Sequence, residues 1–193
     1  CERTIPANKE TKRPSVTPDI SGYIQQQRVV IEIQFSTLSI STIIKRSEAY
    51  KAMDCAILWI LPLSKDLGDG NFRPRLFERY LHSMYYGKCY YWLKGDGLYL
   101  RPVHFDTATR YIDTSEWFDV DSQEEVCVGG YDKAYKAVKK PNHGKRLHLV
   151  NDFSKETRLP FTPYNERLSV PELLIWVNHT PYWWSKKDVI GSD

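Results

Sequence analysis

Val30-Ile31-Glu32-Ile33-Gln34-Phe35-Ser36, residues 30–36, is the stretch whose reading decides the fold. With Val29 before it, it is rich in β-branched residues, and a strand is predicted over residues 28–36. Side chains alternate across a strand with period two. Glu32, Gln34 and Ser36 therefore share one face, and Ile31, Ile33 and Phe35 share the other, the expected core face.

Upstream, residues 15–24 read as a second strand, and Gln25-Gln26-Gln27 lies between the two. A two-residue loop at Gln25-Gln26 pairs Ile24 with Gln27 and carries Asp19 directly opposite Glu32, whereas a bulge at Gly22 would shift the pairing by one. Opposed side chains in an antiparallel pair point to the same face, with Cβ atoms about 4.5–5.5 Å apart. Two carboxylates that close repel unless a cation lies between them. A hard, oxygen-seeking ion such as Mg²⁺ meets that need.

Downstream, apolar residues Ile40, Ile43, Ile44, Ala49 and Tyr50 predict a helix over Ser39 to Met53, capped by Ser39 or Ser41. Cys55 to Leu61 is an apolar run ending at Pro62, the length of a buried strand. The expected order is β-β-α-β, a mixed sheet with one crossover helix.

Several of these residues, in this order, resemble the nuclease domain of the competence protein CoiA-like family. They are Arg13-Pro14, Pro18-Asp19-Ile20, Ile31-Glu32-Ile33-Gln34-Phe35-Ser36, Arg46-x-x-x-Tyr50 and Leu58-Trp59-Ile60-Leu61. The resemblance implies an α/β, restriction-endonuclease-like core of the PD-(D/E)xK type at residues 1–64. It implies a Mg²⁺- or Mn²⁺-dependent nuclease that hydrolyses DNA, and DNA over RNA comes from it alone. Asp19 matches the motif aspartate, Glu32 the glutamate, and Gln34 stands where most such enzymes carry lysine. The implied metal ligands are Asp19, Glu32 and the backbone carbonyl of Ile33, and Gln34 would orient the attacking water. Arg46 and Tyr50, on one helix face by their i, i+4 spacing, would lie over the site and meet substrate with Ser36. The same match leaves a second class open: a nuclease-fold module that binds DNA or a protein partner without cutting. Competence, repair and anti-phage defence are the settings it leaves open.

Beyond residue 65 a β-rich extension is expected, 65–193, completing the sheet or holding substrate. Its predicted parts are a helix over Arg75 to Met84 and a hairpin of Cys89–Leu93 with Leu98–Phe105 around Gly95-Asp96-Gly97. A strand over Arg146 to Val150 and a short helix in the aromatic tail from Pro171 to Trp184 complete them. Residues 106–140 show no clear period.

Composition excludes several classes. The 193 residues are 41% hydrophobic and 26% charged, as in an ordinary globular protein. No apolar run approaches the roughly 20 residues of a membrane span, so no membrane partner is expected. A net charge of +3 permits nucleic-acid binding without demanding it. The basic segment Lys133 to Arg146 would track a DNA backbone or form a solvated loop. Cys1, Cys55, Cys89 and Cys127 are scattered, which fits a reducing, cytoplasmic compartment. The five histidines show no zinc-site spacing and read as structural or surface groups. A homo-oligomer and a larger protein complex both stay open as assemblies.

Overall fold

The computed structural model describes residues 16–163, 169–179 and 182–184; Arg13 and Pro14 of the resemblance lie outside them. The hairpin forms in the expected register. Strands β1 (Ile20–Ile24) and β2 (Gln27–Ile33) are antiparallel, with Ile24 paired to Gln27 and Ile20 to Ile31. Gln25 and Gln26 have φ of 47° and 66°. Positive φ at both central residues is what a type I′ turn requires, and the right-handed twist of the strands selects it even without glycine.

Helix α1 (Ile40–Lys51) follows, and Ser39 is its cap, its hydroxyl accepting from the Thr42 N–H at 3.2 Å. Its buried residues, Ile43, Ser47, Ala49 and Tyr50, form one stripe that lies on the sheet. It leads into β3 (Ala56–Leu63), which runs parallel to β2 from Val29↔Ala56 to Ile33↔Ile60. Ala56 to Leu61 are all buried, as expected of a central parallel strand covered on both faces. The predicted β-β-α-β order is present.

The sheet continues past residue 65. After α2 (Leu76–Met84), β4 (Cys89–Leu93) runs parallel to the last residues of β3. Strand β5 (Tyr99–Ile112) turns back along β4, pairing Cys89 with Val103, so the hairpin around Gly95-Asp96-Gly97 is present and β5 is longer than predicted. Two short strands, β6 (Ser115–Asp119) and β7 (Glu124–Val128), make a separate hairpin before β8 (Tyr131–His143) returns along β5. The predicted strand at 146–150 shrinks to β9 (Leu147–His148) on β5. Strands β10 (Phe153–Arg158) and β11 (Leu173–Asn178) are antiparallel, and β11 pairs in parallel with β3 at Ile175↔Ile57.

Two expectations are corrected. The tail was expected to be helical, but Leu173–Asn178 is a strand with Trp176 buried. A short, continuous apolar run fits either element, and pairing with β3 and β10 decides for strand. Phe35 was assigned to the core face, yet it is 74% exposed. The strand ends at Ile33: Gln34 N–H still donates to Ile60 O at 2.9 Å, and then the chain departs toward α1. The period of two therefore stops before Gln34 and Ser36.

Along one side of β3, β11 pairs near its start and β4 near its end. The fork between them is closed by Tyr85, whose hydroxyl accepts from Trp59 N–H at 2.9 Å and donates to Ile57 O at 3.1 Å. Tyr85 is fully buried. Tyr85→Phe should cost about 1–3 kcal/mol, because it strands two buried backbone groups without water. Urea denaturation checks this; a change below a few tenths would contradict it. Among the described residues, no helix is long and apolar enough to cross a membrane.

Candidate functional site

Glu32, next to last in β2, is buried but polar, so the fold must satisfy its carboxylate. The residue is only 3% exposed, because α1 covers the face of β2 that carries Val30 and Glu32. The face of β2 that carries Glu32 is thus roofed. Arg46 and Tyr50, one turn apart on α1, both reach down to Glu32. Arg46 Nε donates to Glu32 Oε1 at 3.0 Å, and Arg46 Nη2 and the Tyr50 hydroxyl make short hydrogen bonds to the same oxygen. Arg46 Nη2 also donates to Thr17 O at 2.8 Å. Glu32 Oε2 takes none of these bonds.

Asp19 stands just before β1, opposite Glu32 when the observed register is extended by one pair. Its Oδ2 accepts from the Ile33 N–H at 2.7 Å, so the side chain takes over a ladder bond where β1 has ended. Asp19, Glu32 and Ile33 are therefore brought together at the end of β2, with Arg46 and Tyr50 above Glu32. Gln34 and Ser36 are not drawn into this group. They contact each other instead, Gln34 Nε2 donating to the Ser36 carbonyl in a short bond.

The electrostatics follow from burial. Desolvation pushes the Glu32 carboxyl above its ordinary value of 4.5; the Arg46 and Tyr50 hydrogen bonds oppose this, and the charge of Asp19 adds to it. Burial also raises the Tyr50 hydroxyl, and its hydrogen bond to Glu32 raises it further, so it stays a donor. For Arg46, burial acts downward but the bond and charge of Glu32 outweigh it, and the guanidinium stays protonated. A carboxyl with a raised folded pKa binds its proton more tightly folded than unfolded. Its contribution is full below about 4.5 and is lost as pH rises through the folded value. Wild-type stability, measured against Glu32→Gln, should therefore fall as pH rises from about 4.5 upward. A gap between the two that does not change with pH would contradict this.

Among the described residues no group of three His, Cys, Asp or Glu side chains converges in a way that would hold a metal. The ligands that the resemblance implies, two carboxylates and the Ile33 carbonyl, are all oxygen. Mg²⁺ commonly takes one or two protein carboxylates and completes its shell with water and phosphate, so this set fits a hard divalent ion and not zinc.

The histidines do structural work where the fold buries them. His82 stacks on Phe105 with centroids 4.6 Å apart and meets the His104 ring at 3.1 Å, fastening α2 to β5. Burial and then the neighbouring His104 push His82 down to about 3, so it stays neutral. A buried polar pair that no sequence pattern flagged is Lys88 and Asn178. Lys88 Nζ donates to Asn178 O at 3.0 Å, and burial lowers its ammonium to about 8. Lys88 follows Gly87 in an unremarkable turn, and nothing local marks it as buried.

Residues 6–92 fit the family model described as competence protein CoiA, nuclease-like domain, a segment spanning a little under half of the chain. No curated protein and no solved structure matches.

Proposed function

We propose that this chain, whose residues 6–92 match the family model described as competence protein CoiA, nuclease-like domain, is a Mg²⁺- or Mn²⁺-dependent nuclease hydrolysing DNA phosphodiester bonds. The observation that carries this reading is the clustering of Asp19, Glu32 and Ile33 at the end of β2, with Asp19 bonded to Ile33 N–H and Glu32 the next residue. Asp19, Glu32 Oε2 and the Ile33 carbonyl would hold the ion. When bound there, a divalent ion supplies Lewis-acid polarisation of the scissile phosphate and a more acidic water.

The chain's own groups set up the rest. Arg46 and Tyr50 hold Glu32 Oε1 in place and offset the cost of its burial. Arg46 uses Nε and Nη2 on protein oxygens, which leaves Nη1 for a phosphate oxygen. Ser36 completes the substrate contacts, whereas Tyr50, expected there too, is fully buried and acts only through Glu32. Gln34 would orient the water once its amide leaves the Ser36 carbonyl, a rotation about side-chain bonds alone.

A second reading is a nuclease-fold module that binds DNA or a protein partner without cutting. One observation favours it: Arg46 already neutralises Glu32, and Gln34 brings no positive charge to the site. Incubating the full chain with end-labelled DNA and millimolar Mg²⁺ or Mn²⁺ separates the two. Metal-dependent cleavage that a chelator abolishes supports the nuclease; DNA retention with no product under any metal supports the module.

A further inference from the structure

The β5–β8 pair does not stop at the body of the protein. Beyond the bulge between Thr107 and Thr109 it runs on as a ribbon from Thr109↔Ala134 to Ile112↔Tyr131. The β6–β7 hairpin extends it, with pairs from Ser115↔Val128 to Asp119↔Glu124. Gly129 and Gly130 join the two parts at positive φ, and Gly130 N–H donates to Ile112 O at 2.8 Å. Gly129 passes so near the other strand that a Cβ there would lie 2.0 Å from Asp113 O. From Thr109 to Asp119 the arm reaches about 35 Å at strand rise.

Among the described residues, nothing packs on the outer part of this arm. A lone two-stranded hairpin is marginal in water, yet the Trp117 face of β6–β7, with Val126 and Val128 beside it, is uncovered. Trp117 and Phe118 are 48% and 59% exposed, and Val120 is 77% exposed. Exposed apolar surface concentrated in this way marks a contact with another protein.

Charge along the arm is segregated. The tip carries Asp113, Glu116, Asp119, Asp121, Glu124 and Glu125, with no lysine or arginine from 113 to 130. The stem carries Lys133, Lys136, Lys139 and Lys140, with no acid from 133 to 146. None of these acids and none of these four lysines forms an ion pair with another described residue. Tip and stem lie end to end on one ribbon, so neither reaches the other within the chain.

We propose that the arm is a self-association device, in which the acidic tip of one copy lies along the basic β8 stem of a second copy, and the reverse. The two-fold arrangement uses one surface on both partners, covers the Trp117 face, and pairs the two charge blocks. This assignment stands apart from the nuclease reading.

Sedimentation of the full chain tests it with two charge reversals. The tip variant is Asp119→Lys with Glu124→Lys, a cross-strand pair on the Trp117 face; the stem variant is Lys136→Glu with Lys140→Glu. Wild type should be a dimer that weakens with added salt, and each variant alone should dissociate at least tenfold more readily. An equimolar mixture should dimerise again, because tip and stem are then complementary in both contacts. That recovery also shows that both variants fold. A monomeric wild type overturns the proposal, as does a dimer that both reversals leave intact or a mixture that fails to reassociate. So does a wild-type monomer whose stem lysines are needed to bind a single-stranded oligonucleotide, measured by anisotropy, which would assign the stem to nucleic acid.

Discussion

Replacing Arg46 with alanine is expected to destabilise the fold by about 3 kcal/mol, at the low end of the roughly 3–5 kcal/mol seen when one partner of a buried ion pair is removed. Glu32 would keep its place under α1 with its carboxylate facing only the Tyr50 hydroxyl. The low end applies because the Arg46 side chain is 28% exposed, so water partly refills the space. In a chain of this size that loss lowers the melting temperature by roughly 6–12 °C. Glu32→Gln should cost less, because the amide oxygen still accepts from Arg46 and Tyr50. Adding Glu32→Gln to Arg46→Ala should recover part of the loss, since the stranded charge is then gone. Urea denaturation of the four chains measures this coupling, and additive single effects would contradict the account of Glu32 and Arg46 as one unit.

Asp19→Ala is expected to do the opposite: little to stability and much to chemistry. Asp19 is exposed, and its loss removes one hydrogen bond to Ile33 N–H, about 1 kcal/mol. Removing a carboxylate ligand forfeits several kcal/mol of transition-state stabilisation. At 1.36 kcal/mol per factor of ten, that is a loss in cleavage rate of about a thousandfold or more. The measurement is single-turnover cleavage of labelled DNA beside a denaturation curve for the same preparation. A folded Asp19→Ala chain that cuts at the wild-type rate would remove Asp19 from the site.

The contrast between these two residues shows where sequence reasoning reached and where it stopped. Register was legible only given an assumed two-residue loop, since a bulge at Gly22 would have shifted the pairing by one; the structure keeps Ile24↔Gln27 and, following from it, Ile20↔Ile31. The Gln25-Gln26 turn was legible in position but not in conformation, since positive φ at glutamine is a cost that only the strand twist repays. Arg46 and Tyr50 were correctly placed on one helix face. Which way that face turned was not legible: spacing alone does not say whether an arginine meets a phosphate or a glutamate beneath it. The burial of Glu32 was not legible for the same reason, because the roof over it comes from the helix. The arm at 109–136 carried no readable period, since a ribbon exposed on both faces has no apolar side to impose one.

The claim that Asp19, Glu32 and the Ile33 carbonyl form one metal site is tested most directly by titrating the full chain with Mn²⁺ and following the free ion by electron paramagnetic resonance. The account predicts one site occupied in the millimolar range or tighter by the wild type, and lost in the folded Asp19→Ala variant. No binding by the wild type, or equal binding by the two chains, would contradict it.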